Sequence, residues 1–547
     1  MENLPDARNL PSLLFARSRE WGARTMLRFC AEGVWRSVSW AEFARQTAGC
    51  ARFLRDLGVG PGMRVVLVSD NGPEQLMAEV ALMAIGAVPV PTYTTNSVAD
   101  HAHILRDSGA GMAIAGSAAL AERLRQAGLA GTLLVFGEAG EGEISLAPGF
   151  EDAREPDDVI EAAAQIPAVG LACLIYTSGT SGPARGVMLP HRSILSNIAG
   201  VEAVVRALEL RDEVYLSFLP NSHSFEHTVG QFLLPTVGVE VAYATGIEKL
   251  ADNMREVRPT IMAVVPRILE VIRARILGQV ARESAVKRWL FGMALAGKPG
   301  WLRPVLDRVV LRKVRERFGG RLRILISGGA RLPPEVGRFY QAIGFTLLQG
   351  YGQTEAGPVI SVNTPPSMRA ETVGPPLLGV EVKIAADGEI LVRGDLVMAG
   401  YWNRPEATAA ALRDGWLHTG DIGVIEADGH LRITDRKKDL IILSGGENIS
   451  PAHVESVLMA EAEILQAVVM GEGKTNLSAL IVAAQDAGEG EIQGAVGRAN
   501  LRLGSVERVR RFELVEAFTI ENGLLTPTQK IRRALVMERY RGVGEGR

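Results

Sequence analysis

Lysine is almost missing from this chain: nine occur among 547 residues, none before Lys249, and arginine supplies most of the 59 basic side chains. The glycine-rich segment at 176–187 therefore carries no Gly-x-x-x-x-Gly-Lys-Ser/Thr run, which argues against a GTPase or an ordinary P-loop ATPase. Cysteine is scarcer still. Cys30, Cys50 and Cys173 are spaced too widely for a zinc knuckle or a redox pair, and Cys173 falls in an apolar run that suits a buried structural thiol. A reducing compartment follows. Long apolar runs are also lacking: the most hydrophobic stretch, Val80 to Pro91, is too short to span a bilayer, and Met1–Arg8 has no basic-then-apolar signal pattern. A cytoplasmic protein, with peripheral membrane contact left open, is the expectation. A formal charge of −3 gives no broad basic surface for nucleic acid.

What is present is a chain long enough for several packed layers, 47% hydrophobic, without internal repeats or low-complexity tracts. Apolar runs alternate with amphipathic segments: Arg64–Ser69 precedes a helical pattern at Glu74–Ile85, Ile261–Pro266 precedes Arg267–Val280, and Arg321–Gly329 repeats the strand-then-glycine arrangement. This alternation predicts an α/β fold, mainly parallel sheets covered by helices. After Val380 the texture changes to short strands with tight turns at Ala386-Asp-Gly388 and Ala427-Asp-Gly429, which read as antiparallel hairpins forming a small barrel-like β region. The charge run Asp435-Arg-Lys-Lys-Asp439 marks a second boundary, although it could be a solvated turn. Beyond it, strands are expected at 440–443, 466–470, 477–484 and 511–518, with helices at 451–459 and 489–503. The division is thus a large domain over 1–435 and a small α+β domain over 436–547.

The segment Tyr176-Thr-Ser-Gly-Thr-Ser-Gly-Pro-Ala-Arg-Gly-Val187 concentrates hydroxyls and glycines into a loop ending in a cation. Glycine lets backbone N–H groups approach an anion closely, Thr177, Ser178, Thr180 and Ser181 add donors beside Gly179 and Gly182, and Arg185 supplies charge. Its surroundings read as strand, loop and helix, with the cradle at the carboxyl end of the strand Leu171–Tyr176 and a helix from His191. Taken alone, an ordinary Ser/Gly turn explains it equally well.

The loop resembles the signature of the adenylate-forming, or acyl-activating, superfamily, and further motifs follow in that superfamily's order. They are Leu219-Pro-Asn-Ser-His-Ser-Phe-Glu226, Ser327-Gly-Gly-Ala330, Gln349-Gly-Tyr-Gly-Gln-Thr-Glu355, Gly388-Glu-Ile-Leu-Val-Arg-Gly394, His418-Thr-Gly-Asp421, Asp435-Arg436 and Asn522-Gly through Lys530. The resemblance runs from about Val38 through Arg533. Leu-Pro-x-x-His-x-x-Glu at 219–226, Val257-Arg-Pro-Thr260, Val265-Pro-Arg267 and Asp435–Asp439 are most similar to long-chain fatty acyl-CoA synthetases.

The resemblance implies two half-reactions: a carboxylate attacks the α-phosphate of ATP to give acyl-adenylate and pyrophosphate, then the thiol of coenzyme A displaces AMP. By the same resemblance the loop from Thr177 to Arg185 would hold the β- and γ-phosphates, and Thr354 would touch the α-phosphate. Glu355, with Thr177, would serve Mg²⁺, a hard cation suited to oxygen ligands. Gly328, Gly329, Ala330 and Tyr351 would form the adenine slot, with Gly350 and Gly352 also among the nucleotide-binding residues; Asp421 would accept from the ribose hydroxyls, with Arg436 and Ile433 beside it. Lys530 would bridge the acyl carboxylate and the α-phosphate, and His223 would line the junction between acid and adenylate. A hinge would fall at Lys438, its rotation exchanging Lys530 for the Ser444-Gly445-Gly446 loop along the pantetheine path. The second step needs no protein nucleophile, since the mixed anhydride is already activated.

One departure stands out: Ala184 and Arg185 occupy positions where the superfamily commonly has proline and lysine. Charge is kept, while alanine leaves a looser loop. Two other readings remain open at this level, an acyl-AMP ligase that delivers its product to an acyl carrier protein, and a nucleotide-binding regulatory protein without turnover. The motifs do not report chain length of the acid or oligomeric state.

Overall fold

A computed structural model describes residues 7–177, 183–297, 303–445, 447–484, 487–519, 521–526 and 531–541. Apolar runs buried on both faces form its two main sheets. The first is parallel, five strands in the order Val88–Thr92, Arg64–Val68, Met112–Ala115, Thr132–Val135 and Glu143–Ser145. The second has eight strands, its central members Glu240–Tyr243, Val214–Ser217, Ile261–Val264, Ile324–Ser327 and Thr346–Gly352 running parallel, with antiparallel strands at the edges. Near-continuous Val/Ile/Leu content is what burial under helices on both sides requires.

The apolar stretch from Val80 to Pro91 resolves into two elements, the end of helix Pro73–Ala84 and the strand Val88–Thr92, both buried. Gly86, at φ +74°, makes the reversal between them. Local signals agree with this framework: Ser39 and Glu42 close a capping box on helix Trp40–Asp56, and Ser97 and Asp100 do so on Val98–Ser108. Each cap satisfies backbone donors that would otherwise be orphaned, about 1 kcal/mol apiece.

One local expectation is corrected. The glycine-rich loop does not join a strand to a helix. Leu171–Thr177 and Arg185–Pro190 are antiparallel partners, Thr177 opposite Arg185, with Gly400–Tyr401 added beyond. The helix His191–Gly200 begins only after this second strand. Thus Thr177 and Arg185 face each other at the ends of the two strands that the loop joins. Arg185–Pro190 reads poorly as a strand in sequence, because Gly186 and Pro190 lie in it and its buried residues do not alternate.

The hairpin region after Val380 is antiparallel throughout: Glu381–Ile384 pairs Glu389–Arg393, which pairs Trp416–Ile425, which pairs Leu431–Arg436. A smaller C-terminal unit follows, with the sheet Ile464–Met470, Leu477–Ala483 and Val509–Leu514 and helices Pro451–Met459 and Glu489–Leu501. It has its own core around Val454, Leu458, Val469, Ile481, Ile492 and Ala495. The charge run before it is more than a solvated turn. Asp435 is buried, and Lys437 is tied to the large domain through Asp387 at 2.6 Å and Glu389 at 3.0 Å.

Candidate active site

Open α/β sheets bind ligands at the carboxyl ends of their strands, and several of the expected site residues lie at or just beyond the carboxyl ends of Ile324–Ser327 and Thr346–Gly352. From Ile324–Ser327 the chain passes into Gly328 and Gly329. A Cβ on Gly328 would meet the Phe225 ring at 3.1 Å, and Gly329 has φ +80°, so a side chain at the first position would require the Phe225 ring to shift and the second favours glycine. Gly328 is buried, whereas Gly329 and Ala330 are exposed. Ser327 Oγ and Gln349 Oε1 are buried here without a hydrogen-bond partner among the described residues.

The neighbouring strand Thr346–Gly352 delivers Gly350, Tyr351 and Gly352. Backbone crowding explains the last glycine: a Cβ there would lie 1.8 Å from the Pro358 carbonyl oxygen. The short helix Thr354–Ala356 therefore folds closely over the strand end. Thr354 Oγ1 lies 2.8 Å from Ser224 Oγ, and His223 Nδ1 accepts the Phe225 N–H at 3.2 Å, capping the turn that carries Ser224.

Two carboxylates, Asp421 and Glu355, organise the rest. Tyr351 donates its hydroxyl to Asp421 Oδ2 at 2.8 Å, while Arg436 Nε donates to Asp421 Oδ1 at 3.0 Å. Asp421 and Arg436 face each other across adjacent strands, and Ile433 lies three residues before Arg436 on the same strand. Burial, then the Asp421 charge, pushes the Tyr351 phenol far above its ordinary range, so it remains a donor. Asp421 keeps further lone pairs on both oxygens, the acceptor set a vicinal diol needs.

The second group is Glu355. Tyr401 donates its hydroxyl to Glu355 Oε1 at 2.8 Å, and the Arg185 guanidinium lies over the Tyr401 ring at 5.7 Å. Burial, then the Glu355 charge, raises the Tyr401 phenol as well. Thr177 is brought to this cluster by its cross-strand pairing with Arg185. Arg185, Thr177, Glu355, Thr354, Tyr351, Asp421 and Arg436 thus gather from segments up to 259 positions apart in sequence. Tyr401 was missed by sequence reasoning. Its signal was the aromatic pair Tyr401-Trp402 after Gly400, in a chain only 5% aromatic. Ser224 and Phe225 lay inside a recognised motif but carried no charge to draw notice.

Other expected residues are placed apart or left undescribed. Ser178, Gly179, Thr180, Ser181, Gly182, Gly446 and Lys530 lie outside the described residues. Lys438 is exposed directly after the anchored Lys437, and Ser444 and Gly445 are exposed in the C-terminal unit, where the Ser444 N–H donates to the Lys474 carbonyl at 2.9 Å. The flank of Lys530 is well tied: Leu525 pairs with Ile531, and Arg533 donates to the Val469 carbonyl at 2.8 Å and to Glu455. Arg533 also lies within electrostatic reach of Asp435 and Asp439, which brings this flank to the junction between the two units.

The AMP-binding enzyme family model matches residues 14–402, and the AMP-binding enzyme C-terminal domain model matches residues 438–543. The chain belongs to the AMP-binding enzyme family. Among curated relatives of this AMP-binding enzyme is the long-chain-fatty-acid–CoA ligase FadD15 of Mycobacterium tuberculosis, 33% identical over 97% of this chain and 96% of that one. Long-chain-fatty-acid–CoA ligase 1 of Cavia porcellus is 29% identical over 93% of this chain and 81% of the other. Among solved structures, ATP-bound MatB of Rhodopseudomonas palustris superposes with a TM-score of 0.76 at 23% identity, covering 98% of this chain and 99% of that one. At that identity the likeness establishes the fold.

Proposed function

We propose that this AMP-binding enzyme is a long-chain fatty acid–CoA ligase, forming acyl-AMP and pyrophosphate from a fatty acid and ATP, then acyl-CoA and AMP. The observation that carries the reading is identity of 33% over 97% of the chain to a ligase of that name. In the first step an acid oxygen bonds to the α-phosphorus and the bond to the β-phosphate oxygen breaks, so negative charge builds on the transferring and leaving groups. Arg185 and the loop before it would hold the β- and γ-phosphates, Thr354 the α-phosphate, and Lys530 the acid and α-phosphate together. Asp421 would accept from the ribose hydroxyls, with Arg436 and Tyr351 fixing its carboxylate, and the Gly328–Ala330 edge would receive the adenine.

Among the described residues no group of three His, Cys, Asp or Glu converges as a protein-only metal site. A single carboxylate, Glu355, would suit a Mg²⁺ ion whose other ligands are phosphate oxygens and water, with Thr177 assisting. Such an ion would neutralise charge on the leaving pyrophosphate. In the second step the CoA sulfur bonds to the acyl carbon as the bond to AMP breaks, and rotation at Lys438, between the domains 1–435 and 436–547, would open the path beside Ser444–Gly446. His223 would border the acid. A cytoplasmic setting with peripheral access to lipid belongs to the same reading, and among the described residues no helix is long and apolar enough to cross a membrane.

The test is product analysis by chromatography and mass spectrometry after incubation with palmitate, Mg²⁺-ATP and CoA. Palmitoyl-CoA with AMP is expected. Palmitoyl-adenylate accumulating without thioester would overturn the CoA step and direct attention to an acyl carrier protein.

A further inference from the structure

The surface built by residues 282–323 differs in charge from the rest of the molecule. Twelve lysines and arginines stand against three acids in this stretch, within a chain of formal charge −3. Helix Ala285–Ala296 packs against the helical run that begins at Arg303–Leu306 and continues through Asp307–Leu311 and Arg312–Glu316. Leu290, Ala294, Leu306 and Leu311 form the contact. Among the described residues the outer faces are apolar and uncovered: Val286 and Trp289 are 65% and 62% exposed, and Val305 and Val309 are 56% and 51% exposed. Spacings of three and four put each pair on one side of its helix. Phe291, by contrast, is buried, so the segment is anchored by one face and presents the other.

Further along the second helical run the exposed residues turn basic, Arg308, Arg312, Lys313 and Arg317. Arg312 also borders a cleft of about 490 Å³ lined by Arg255, Arg258, Arg315, Glu316 and the Gly319–Gly320 backbone. Asp252, Asp307 and Glu316 pair with Arg255, Arg315 and Arg312. Arg258 instead donates to the Gly319 carbonyl, and Arg288 to the carbonyls of Ala281 and Glu283, neutral acceptors, so neither charge is cancelled by an acid among the described residues. Because Arg258 and Gly320 precede the strands Ile261–Val264 and Ile324–Ser327, the cleft lies at the amino ends of strands whose carboxyl ends carry the nucleotide residues. It is not part of that site.

We propose that this face docks on an anionic phospholipid surface, Trp289, Val286, Val305 and Val309 entering the headgroup boundary while the arginines of the cleft and its rim take lipid phosphates. An indole beside aliphatic side chains suits the interfacial layer, and juxtaposed guanidiniums supply the charge term. Nucleic acid would satisfy the arginines but leaves four exposed apolar side chains in water. The inference draws on the long-chain-acid reading only for its physiological sense, and the assay uses neither acid nor ATP, so the two fail separately.

The full chain is floated with vesicles of phosphatidylcholine alone and of phosphatidylcholine with 30% phosphatidylglycerol. Association with the anionic vesicles only, lost at high salt and accompanied by a blue shift of tryptophan emission, is expected. Arg255→Glu with Arg312→Glu should weaken partitioning about a hundredfold, and Trp289→Ser with Val305→Ser about tenfold, while acyl-CoA formation from dispersed acid stays at the parent rate. Equal binding to both vesicle types, or unchanged partitioning by both variants, overturns the proposal. So does competition by inorganic phosphate alone at millimolar concentration, which would mark the cleft as a free-phosphate site, or tighter binding to duplex DNA than to vesicles.

Discussion

Replacing Tyr401 by phenylalanine removes one atom from the cluster that joins Arg185 to Glu355. The hydroxyl donates to Glu355 Oε1 at 2.8 Å, and hydrogen bonds to charged acceptors contribute about 1.5–3 kcal/mol. Tyr401 is only half-buried, so water replaces part of the bond and the low end applies, about tenfold in kcat/KM for Mg²⁺-ATP. The ring remains. Its cation–π contact with Arg185, at 5.7 Å, is near the outer limit of such interactions, so Tyr401→Leu should cost only a further two- to threefold, from about 0.5 kcal/mol. Pyrophosphate exchange measured against Mg²⁺-ATP concentration reads both variants, with thermal denaturation run alongside. An exchange rate for Tyr401→Phe within twofold of the parent refutes the idea that the hydroxyl positions Glu355. A fall in melting temperature parallel to the fall in exchange would make the residue merely structural.

Gly352→Ala should drive the Pro358 carbonyl and the intervening Thr354–Glu355 turn outward; overpacking of about 3 kcal/mol is expected, with exchange activity lost more steeply than thermal stability, and full activity would contradict the crowding argument. Burial pushes the Glu226 carboxyl up to about 7, against the hydrogen bonds from Tyr215 and Ser217 that lower it. Folding therefore favours its protonated form, and this contribution is present below the ordinary carboxylate range and lost as pH rises through 7. Glu226→Gln should accordingly gain stability relative to the parent between pH 5 and 8, by about 3 kcal/mol; a pH-independent difference in urea unfolding would count against it. Lys530→Ala is expected to abolish adenylate formation while sparing thioester formation from supplied acyl-adenylate, and equal loss of both steps would remove Lys530 from its role. Lys438→Pro, by fixing φ, should retain adenylation and lose thioester formation, and unchanged CoA ligation would rule out the hinge.

Much of this protein was legible before folding. The alternation of apolar strands with amphipathic helices carries its period in every window, so the α/β class, the antiparallel region after Val380 and the C-terminal helices at 451–459 and 489–501 follow from local pattern alone. The glycine-rich loop stood out locally but fitted an ordinary turn equally well, and Glu355, Asp421 and Arg436 were singled out only through the resemblance of ordered motifs to the adenylate-forming superfamily. The hairpin under the loop did not stand out, since Arg185–Pro190 contains Gly186 and Pro190 and shows no two-residue period, and only pairing with Leu171–Thr177 reveals it as a strand. Tyr401 needed the tertiary structure for a different reason. A single aromatic says nothing of its partners until a strand from 400–401 joins the 171–190 hairpin and sets its hydroxyl against a carboxylate 46 residues earlier. The lipid-facing surface divides in the same way: the excess of basic residues over 282–323 is a property of the sequence, but whether Val286, Trp289, Val305 and Val309 are core or surface depends on which helix faces find partners, and burial is decided by packing over the whole chain.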